Sequence, residues 1–262
     1  MLRFAFSDLV LFGHEPGHNI RELYWAKASG VEILMDGPAW RNPRQTAASV
    51  KAALADCPVE LSLHPPSVKV NLADADEGIR HASWRAHLDA LELARELGAR
   101  HLVVHPGFLS PGFPLYRARQ LASEAVAGLQ AAARGTGVLL GLENVGHGGT
   151  SLFNEDEYIT FGEQFDAAGY LVDTGHANLN GWNLASLLKQ TRTRLAGVHL
   201  HDNRGDTDLH LPVGEGKIHW PDIWPLLPSL DCPLILEYAP GTPLATLVAS
   251  CEFIQRETGR SC

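Results

Sequence analysis

Cysteine, lysine and long apolar runs are scarce in this chain, and each scarcity excludes something. Its 262 residues hold 4 Cys, at positions 57, 232, 251 and 262, with no CxxC pair. A disulfide framework or a thiolate zinc site is therefore not expected, and a reducing cytoplasm is the expected location. Only Lys27, Lys51, Lys69, Lys189 and Lys217 are lysines, and the formal charge is 21 − 30 = −9. That balance disfavours non-specific binding to a phosphate backbone, which needs a Lys/Arg surface. No apolar run approaches ~18 residues, so no membrane span or membrane partner is expected. Residues 1–17 lack a small-residue cleavage site and read as a first strand, not a signal peptide. After that strand comes Gly13-His-Glu-Pro-Gly17 with no GxGxxG, so no nucleotide cofactor is expected.

What remains is a globular composition, 45% hydrophobic and 19% charged. Short apolar or β-branched runs recur at 2–6, 31–34, 59–63, 102–105, 139–143, 170–173, 195–201 and 234–237. Stretches with helical spacing lie at 46–57, 79–98, 116–135, 155–168, 183–191 and 242–257. In the clearest, Trp84, Leu88 and Leu91 fall on one face and Gly98 offers a stop. Repeated strand-then-helix units imply a parallel sheet with right-handed crossovers. About eight units in ~250 residues are the measure of a (β/α)8 TIM barrel. The expectation is one α/β barrel domain over 1–262. A doubly wound open sheet is the alternative.

Histidine is plentiful, at 13. Six successive strand-like runs each finish on a possible metal ligand: His64, His105, Glu143, Asp173, His199 and Glu237. In a barrel these ends converge on one mouth, where barrel active sites sit. Any one of them alone is as easily a structural histidine or a helix N-cap. Six crowded together are costly unless a cation compensates them. His176 follows Asp173 by three residues, and Asp208 and His210 form an i, i+2 pair that an extended backbone turns to one side. His201 and Asp202 compete with His199, which is favoured because it lies nearer the strand end, with His201 either supporting the ligands from behind or on the rim. His14, His18, His81, His87, His101, His147 and His219 are taken as surface or structural. An N/O donor set suits Zn²⁺, Mn²⁺, Fe²⁺ or Co²⁺.

In this order the segments LVVHPG, GLENVGHGG, LVDTGH, HLHDN…DLHLPVGEGKIHW and LILEYAP resemble the xylose isomerase-like TIM-barrel superfamily. That group includes sugar isomerases and epimerases, and the endonuclease IV type of AP endonuclease. The resemblance runs from about residue 60 to 240. For the sugar branch it implies one metal on Glu143, Asp173, His199 and Glu237. For the endonuclease IV branch it implies three: His64, His105 and Glu143 on the first; Glu143, Asp173, His199 and Glu237 on the second; His176, Asp208 and His210 on the third. Residues 41–45 and the stretch from His64 to Ala73 also look like that branch. The N-terminal segment lacks its Gly-Ala-His opening, and Pro65-Pro66-Ser67 stands where a Tyr is expected.

The sugar reading implies one to three Zn²⁺ or Mn²⁺ ions and a small sugar or sugar phosphate as substrate. Glu143 and Glu237 would move a proton, and His176 would bond substrate oxygens. Trp25, Trp40, Phe108 or Trp182 could wall the site, and Arg204 is a candidate for a phosphate. The alternative is a trinuclear phosphodiesterase, the one case with a nucleic-acid partner. Bound cations would offset four acidic residues, so −9 does not exclude a phosphate-bearing substrate.

Overall fold

A computed structural model describes residues 2–259. Eight parallel strands close on themselves in sequence order: β1 (Phe4–Ser7), β2 (Gly30–Leu34), β3 (Glu60–His64), β4 (His101–Val104), β5 (Leu139–Glu143), β6 (Ala168–Asp173), β7 (Leu195–Leu200) and β8 (Leu234–Leu236). The register runs from Leu34 opposite His64 to Asp173 opposite His199, and Phe6 opposite Leu236 completes the ring. The expected barrel is thus the observed one, and the open sheet is set aside.

Among the described residues eight α-helices accompany the strands: α1 (Pro16–Trp25), α2 (Pro43–Asp56), α3 (Glu77–Leu97), α4 (Leu115–Ala133), α5 (Glu155–Glu163), α6 (Thr174–Leu179), α7 (Leu184–Thr191) and α8 (Leu244–Glu257). Their starts have local causes. Asp76 caps α3 by accepting from Gly78 and Ile79, and Asn154 with Glu157 forms a reciprocal cap on α5. Asp173 accepts from the His176 amide and caps α6.

Besides α6, which was not expected, and shifts of a few residues at element ends, three differences between sequence and structure have a local physical reason. The turn at 13–17 is partly α1: Pro16 sits in its first turn, where its missing N–H costs nothing. Gly17 is tolerated because a Cβ there would meet Ser49 Oγ of α2 at 2.4 Å. The helix expected to 168 stops at Glu163, because the Arg194 guanidinium gathers the carbonyls of Gly162, Phe165 and Ala168. On α3 the buried face is Ser83, His87, Ala90, Leu91 and Ala94, while Trp84 and Leu88 lie half-buried at its edge. Trp84 lies against Gly128 of α4, leaving no room for a Cβ.

Strand alternation divides the apolar residues in two. One set, including Leu102, Val104, Leu140, Leu142, Val198 and Leu200, packs outward under the helices. A small separate cluster of Ala5, Val103, Leu171 and Ile235 fills the barrel interior. Two residues further along, the inward side carries Ser7, His105, Asp173 and Glu237. This parity delivers the ligand-type side chains to one end of a packed barrel. Cys57 and Cys232 are buried, unbridged thiols, and burial pushes that of Cys232 up to about 12. Cys262 lies outside the described residues.

Candidate metal centre

Each expected strand-end residue stands at the mouth. His64, Glu143 and Asp173 are the last residues of β3, β5 and β6; His105 and Glu237 lie one past β4 and β8. His199 is the penultimate residue of β7. His64, Glu143, Asp173, His199 and Glu237 are buried, and His105 nearly so.

Around Glu143 the side chains interlock. Its Oε2 is 2.8 Å from His105 Nε2 and 3.7 Å from His64 Nε2. The other nitrogen of His64 is 2.7 Å from the Pro65 carbonyl, which can only accept. Nδ1 therefore carries a hydrogen donated to that carbonyl, and Nε2 is the nitrogen turned to Glu143. His199 Nδ1 is 3.1 Å from Glu237, and 3.7 Å from both Glu143 and Asp173. Asn144 clamps the Asp173 backbone, donating to its carbonyl at 3.0 Å and accepting from its amide at 2.7 Å.

Three residues outside the expected set belong to this network. Glu32, fully buried in mid-β2, accepts from His199 Nε2 at 2.8 Å and from Ser62 at 3.0 Å. His101, taken from sequence as surface or structural, is buried 3.3 Å from Glu32. Of the two places open to His201, the structure has it behind the ligand-type residues and not on the rim: it is fully buried, with Nε2 2.9 Å from Asp173 Oδ2. The available signal for Glu32 was a charge inside the apolar run Val31-Glu-Ile-Leu34. The competitor Asp202 is spent on its own loop, accepting from Asn203, Gly214, Ile218 and the Trp220 indole.

Fields inside this cluster are strong. Burial works against the charge on Glu143, but His105, His176 and His199 hold it well below the usual carboxylate range. Asp173 behaves alike, against His176 and His201. Despite burial, Asp173 and Asp208 keep His176 well above the ordinary imidazole range, and Glu237 and Glu32 do so for His199. Glu143 lifts His64 to about 9, and Asp208 lifts His210 to about 9. For His105 burial wins and the pKa falls.

The donor set fits a cation. Nδ1 of His176, His199 and His201 and Oδ1 of Asp208 are buried without hydrogen-bond partners. Among the described residues, ligand atoms come within 4.8 Å of one another in His64/His105/Glu143, Glu143/Asp173/His199, Glu32/His199/Glu237, Asp173/His201/Glu237 and His201/Asp208/His210. The first has the same residues as one grouping implied by the resemblance, and the second has three of the four residues of another, without Glu237. His176 is in none of the five, although its Nε2 is 3.1 Å from Asp208.

Over the cluster lies a cavity of about 430 Å³. Leu9, Leu34, Phe108, Val145 and Pro240 form apolar walls; His147 and Thr150 lie in its lining. Of the four candidate wall aromatics only Phe108 lines it, edge-on to His105 at 6.0 Å. Trp25 is 70% exposed, Trp40 donates to the Leu34 carbonyl beside another cavity, and Trp182 packs on Tyr158. Arg204, Arg41 and Arg44 are exposed and outside that lining.

A closed barrel with clustered His and carboxylate groups at the mouth defines a class, and the comparisons with known proteins agree. The chain belongs to the xylose isomerase-like TIM barrel family, whose model matches residues 22–257. An uncharacterized protein of Methanocaldococcus jannaschii is 27% identical over 231 residues, covering 85% of this chain and 78% of its own. A probable endonuclease 4 of Mycobacterium ulcerans is 28% identical over 232 residues, covering 82% and 87%. A solved D-tagatose 3-epimerase-like protein superposes with TM-score 0.86 at 24% identity, covering 98% of this chain and 97% of that one. At that identity the likeness speaks for the fold.

Proposed function

We propose that this protein is a divalent-metal-dependent isomerase or epimerase of a small sugar or sugar phosphate, using Zn²⁺ or Mn²⁺ and no nucleotide cofactor. The observation that carries this reading is the floor of the cavity. There Glu143 and Glu237 both approach His199 Nδ1, at 3.7 and 3.1 Å, beneath a pocket of small-molecule size. Glu143, Asp173, His199 and Glu237 would hold the ion, which as a Lewis acid polarises a carbonyl and its neighbouring hydroxyl.

The protein's own part is proton transfer. Glu143 and Glu237, at the ends of β5 and β8 and on opposite sides of the substrate, would remove a proton beside the carbonyl and return it, a contribution of ~10²–10⁴-fold. His176 has Glu143 at 3.3 Å on one nitrogen and Asp208 at 3.1 Å on the other. Carboxylates on both sides favour the protonated ring, which can donate to a substrate oxygen. Glu32 fixes the ring of His199, since a carboxylate on Nε2–H leaves Nδ1 as the lone pair facing the site. Phe108 and the apolar walls would exclude water. Among the described residues no helix is long and apolar enough to cross a membrane, and the buried, unbridged Cys57 and Cys232 accord with a cytoplasmic place.

The decisive test is exchange in D₂O with the metal-loaded enzyme over a panel of ketoses and aldoses. Deuterium should enter the carbon next to the carbonyl. Absence of exchange with every sugar, alongside nicking of abasic duplex DNA, would establish the second reading, a trinuclear phosphodiesterase. What favours that reading is the separate His64/His105/Glu143 cluster and the endonuclease 4 relatives.

A further inference from the structure

We propose that Asn71 is a positioning residue of the mouth cavity: its side-chain amide pairs with both backbone groups of Phe108, holds that ring as the cavity's aromatic wall, and so governs how tightly substrate binds. The inference rests on the sugar reading for what is bound, and on the loops alone for what is held.

The amide of Asn71 is fully used. Its Nδ2 donates to the Phe108 carbonyl at 2.9 Å and to Asp74 Oδ2 at 3.1 Å. Its Oδ1 accepts from the Phe108 amide at 2.9 Å and from the Ala73 amide at 3.0 Å. A primary amide has two donor hydrogens and two acceptor lone pairs, so all four are spent. The N–H and C=O of Phe108 are met together, as a residue on an antiparallel strand would meet them. Phe108 needs one acceptor and one donor, and that fixes which end of the amide is oxygen. β3 and β4 register at Leu63 opposite Leu102, and at the mouth this one side chain joins the loops that follow them.

Both partners are prepared for the contact. Gly107 has φ 132°, a conformation open to glycine. A Cβ there would stand 2.7 Å from Asn71 Oδ1 and 2.6 Å from the Ala73 Cβ, so the approach requires that none be present. The Asn71 amide donates to Ser83 Oγ at 2.7 Å, and that fully buried hydroxyl donates to the Ile79 carbonyl. The clamp is thereby anchored on α3. Ser110 adds a second tie, donating to Asp74 Oδ2 at 3.1 Å and accepting from the Ala75 amide at 3.3 Å.

Phe108 needs such a hold. It lines the cavity edge-on to His105, half-buried, and belongs to neither core cluster, whereas Leu109 and Phe113 pack against the core. Its backbone, not core packing, therefore sets where the ring stands. A fixed wall touches substrate and transition state alike, so loosening it weakens binding without slowing chemistry.

The test uses the Zn²⁺-loaded full chain with 4-fluorophenylalanine in place of its 9 Phe, the Phe108 signal being identified by Phe108→Leu. Asn71→Ala should speed exchange of the Phe108 amide hydrogen by ~10-fold. It should also move the Phe108 fluorine signal while the other fluorines and the zinc content stay as in the wild type. Asn71→Asp keeps both acceptor bonds and the turn at 71–73 and loses only the donors, so it serves where Asn71→Ala fails to fold, and it should move the same signal. With the ketose that exchanges fastest in D₂O, Asn71→Ala should raise KM by ~10-fold with kcat within about twofold. In a Phe108→Ala background it should add nothing. The proposal is overturned if the Phe108 fluorine and amide are the same in wild type and both variants, or if the KM effect persists without the Phe108 ring. Exchange with no ketose at all defeats the sugar reading, and the fluorine and amide results then decide the positioning by themselves.

Discussion

Histidine is buried in two regions of this barrel with opposite results. At the mouth, His64, His176, His199 and His210 are pushed toward charge because carboxylates surround them. In the helical layer, His87 of α3 is equally buried, yet burial drives its pKa down to about 4. Only the Ser83 carbonyl meets its Nδ1, and its Nε2 has no partner. Burial alone thus makes an imidazole an inert packing residue. A ring of carboxylates makes it a ligand or a proton carrier.

The largest effect should come from removing the mouth's negative charge. Glu143→Gln or Glu237→Gln should cut turnover by ~10²–10⁴-fold with unchanged circular dichroism. Full turnover in either variant would dissolve the distinction, because the mouth would then be another packed layer.

Next is His87 itself. Its folded pKa of about 4 lies below the unfolded value of ~6.5. Above pH 6.5 the ring is neutral in both states. As pH falls toward 4 the unfolded chain takes up a proton that the folded chain refuses. Stability is therefore lost across that window, by on the order of 3 kcal/mol. His87→Leu should flatten this part of the denaturation profile relative to wild type and leave metal content alone.

Glu32→Gln should sharpen the contrast from below. The charge behind His199 disappears while the ligands at the mouth stay, so Zn²⁺ affinity measured by competition with a chelator should fall by ~10–100-fold. An unchanged affinity would make Glu32 a filler of the barrel interior. The smallest effect belongs to the helical layer. Asp76→Ala removes the α3 cap and should cost ~1 kcal/mol in urea denaturation, with no change in Zn²⁺ affinity.

Much of this was legible before any coordinates, because strands and mouth obey a period of two. Strand ends at His64, Glu143 and Asp173 needed only an apolar run and its last residue. Tertiary partners supplied the rest. The end of α5 depends on Arg194, some thirty residues away, and the start of α1 depends on Gly17 leaving room for Ser49 of α2. Glu32 and His101 were obscured because inward parity cannot be assigned until strands are paired. For His201 the sequence left two places open, behind the ligands or on the rim, and only its burial against Asp173 decides for the first. Its true position follows from the 203–210 loop folding back, which no local pattern announces.

Gly175 has a consequence beyond this molecule. Since the space its side chain would occupy is filled by the ring of His201, the two positions behave as a single lock with two tumblers. A relative with a bulkier residue at the first should have surrendered histidine at the second. Sorting the family by that pair would separate chains able to set an imidazole behind Asp173 from chains that must orient this carboxylate in some other way.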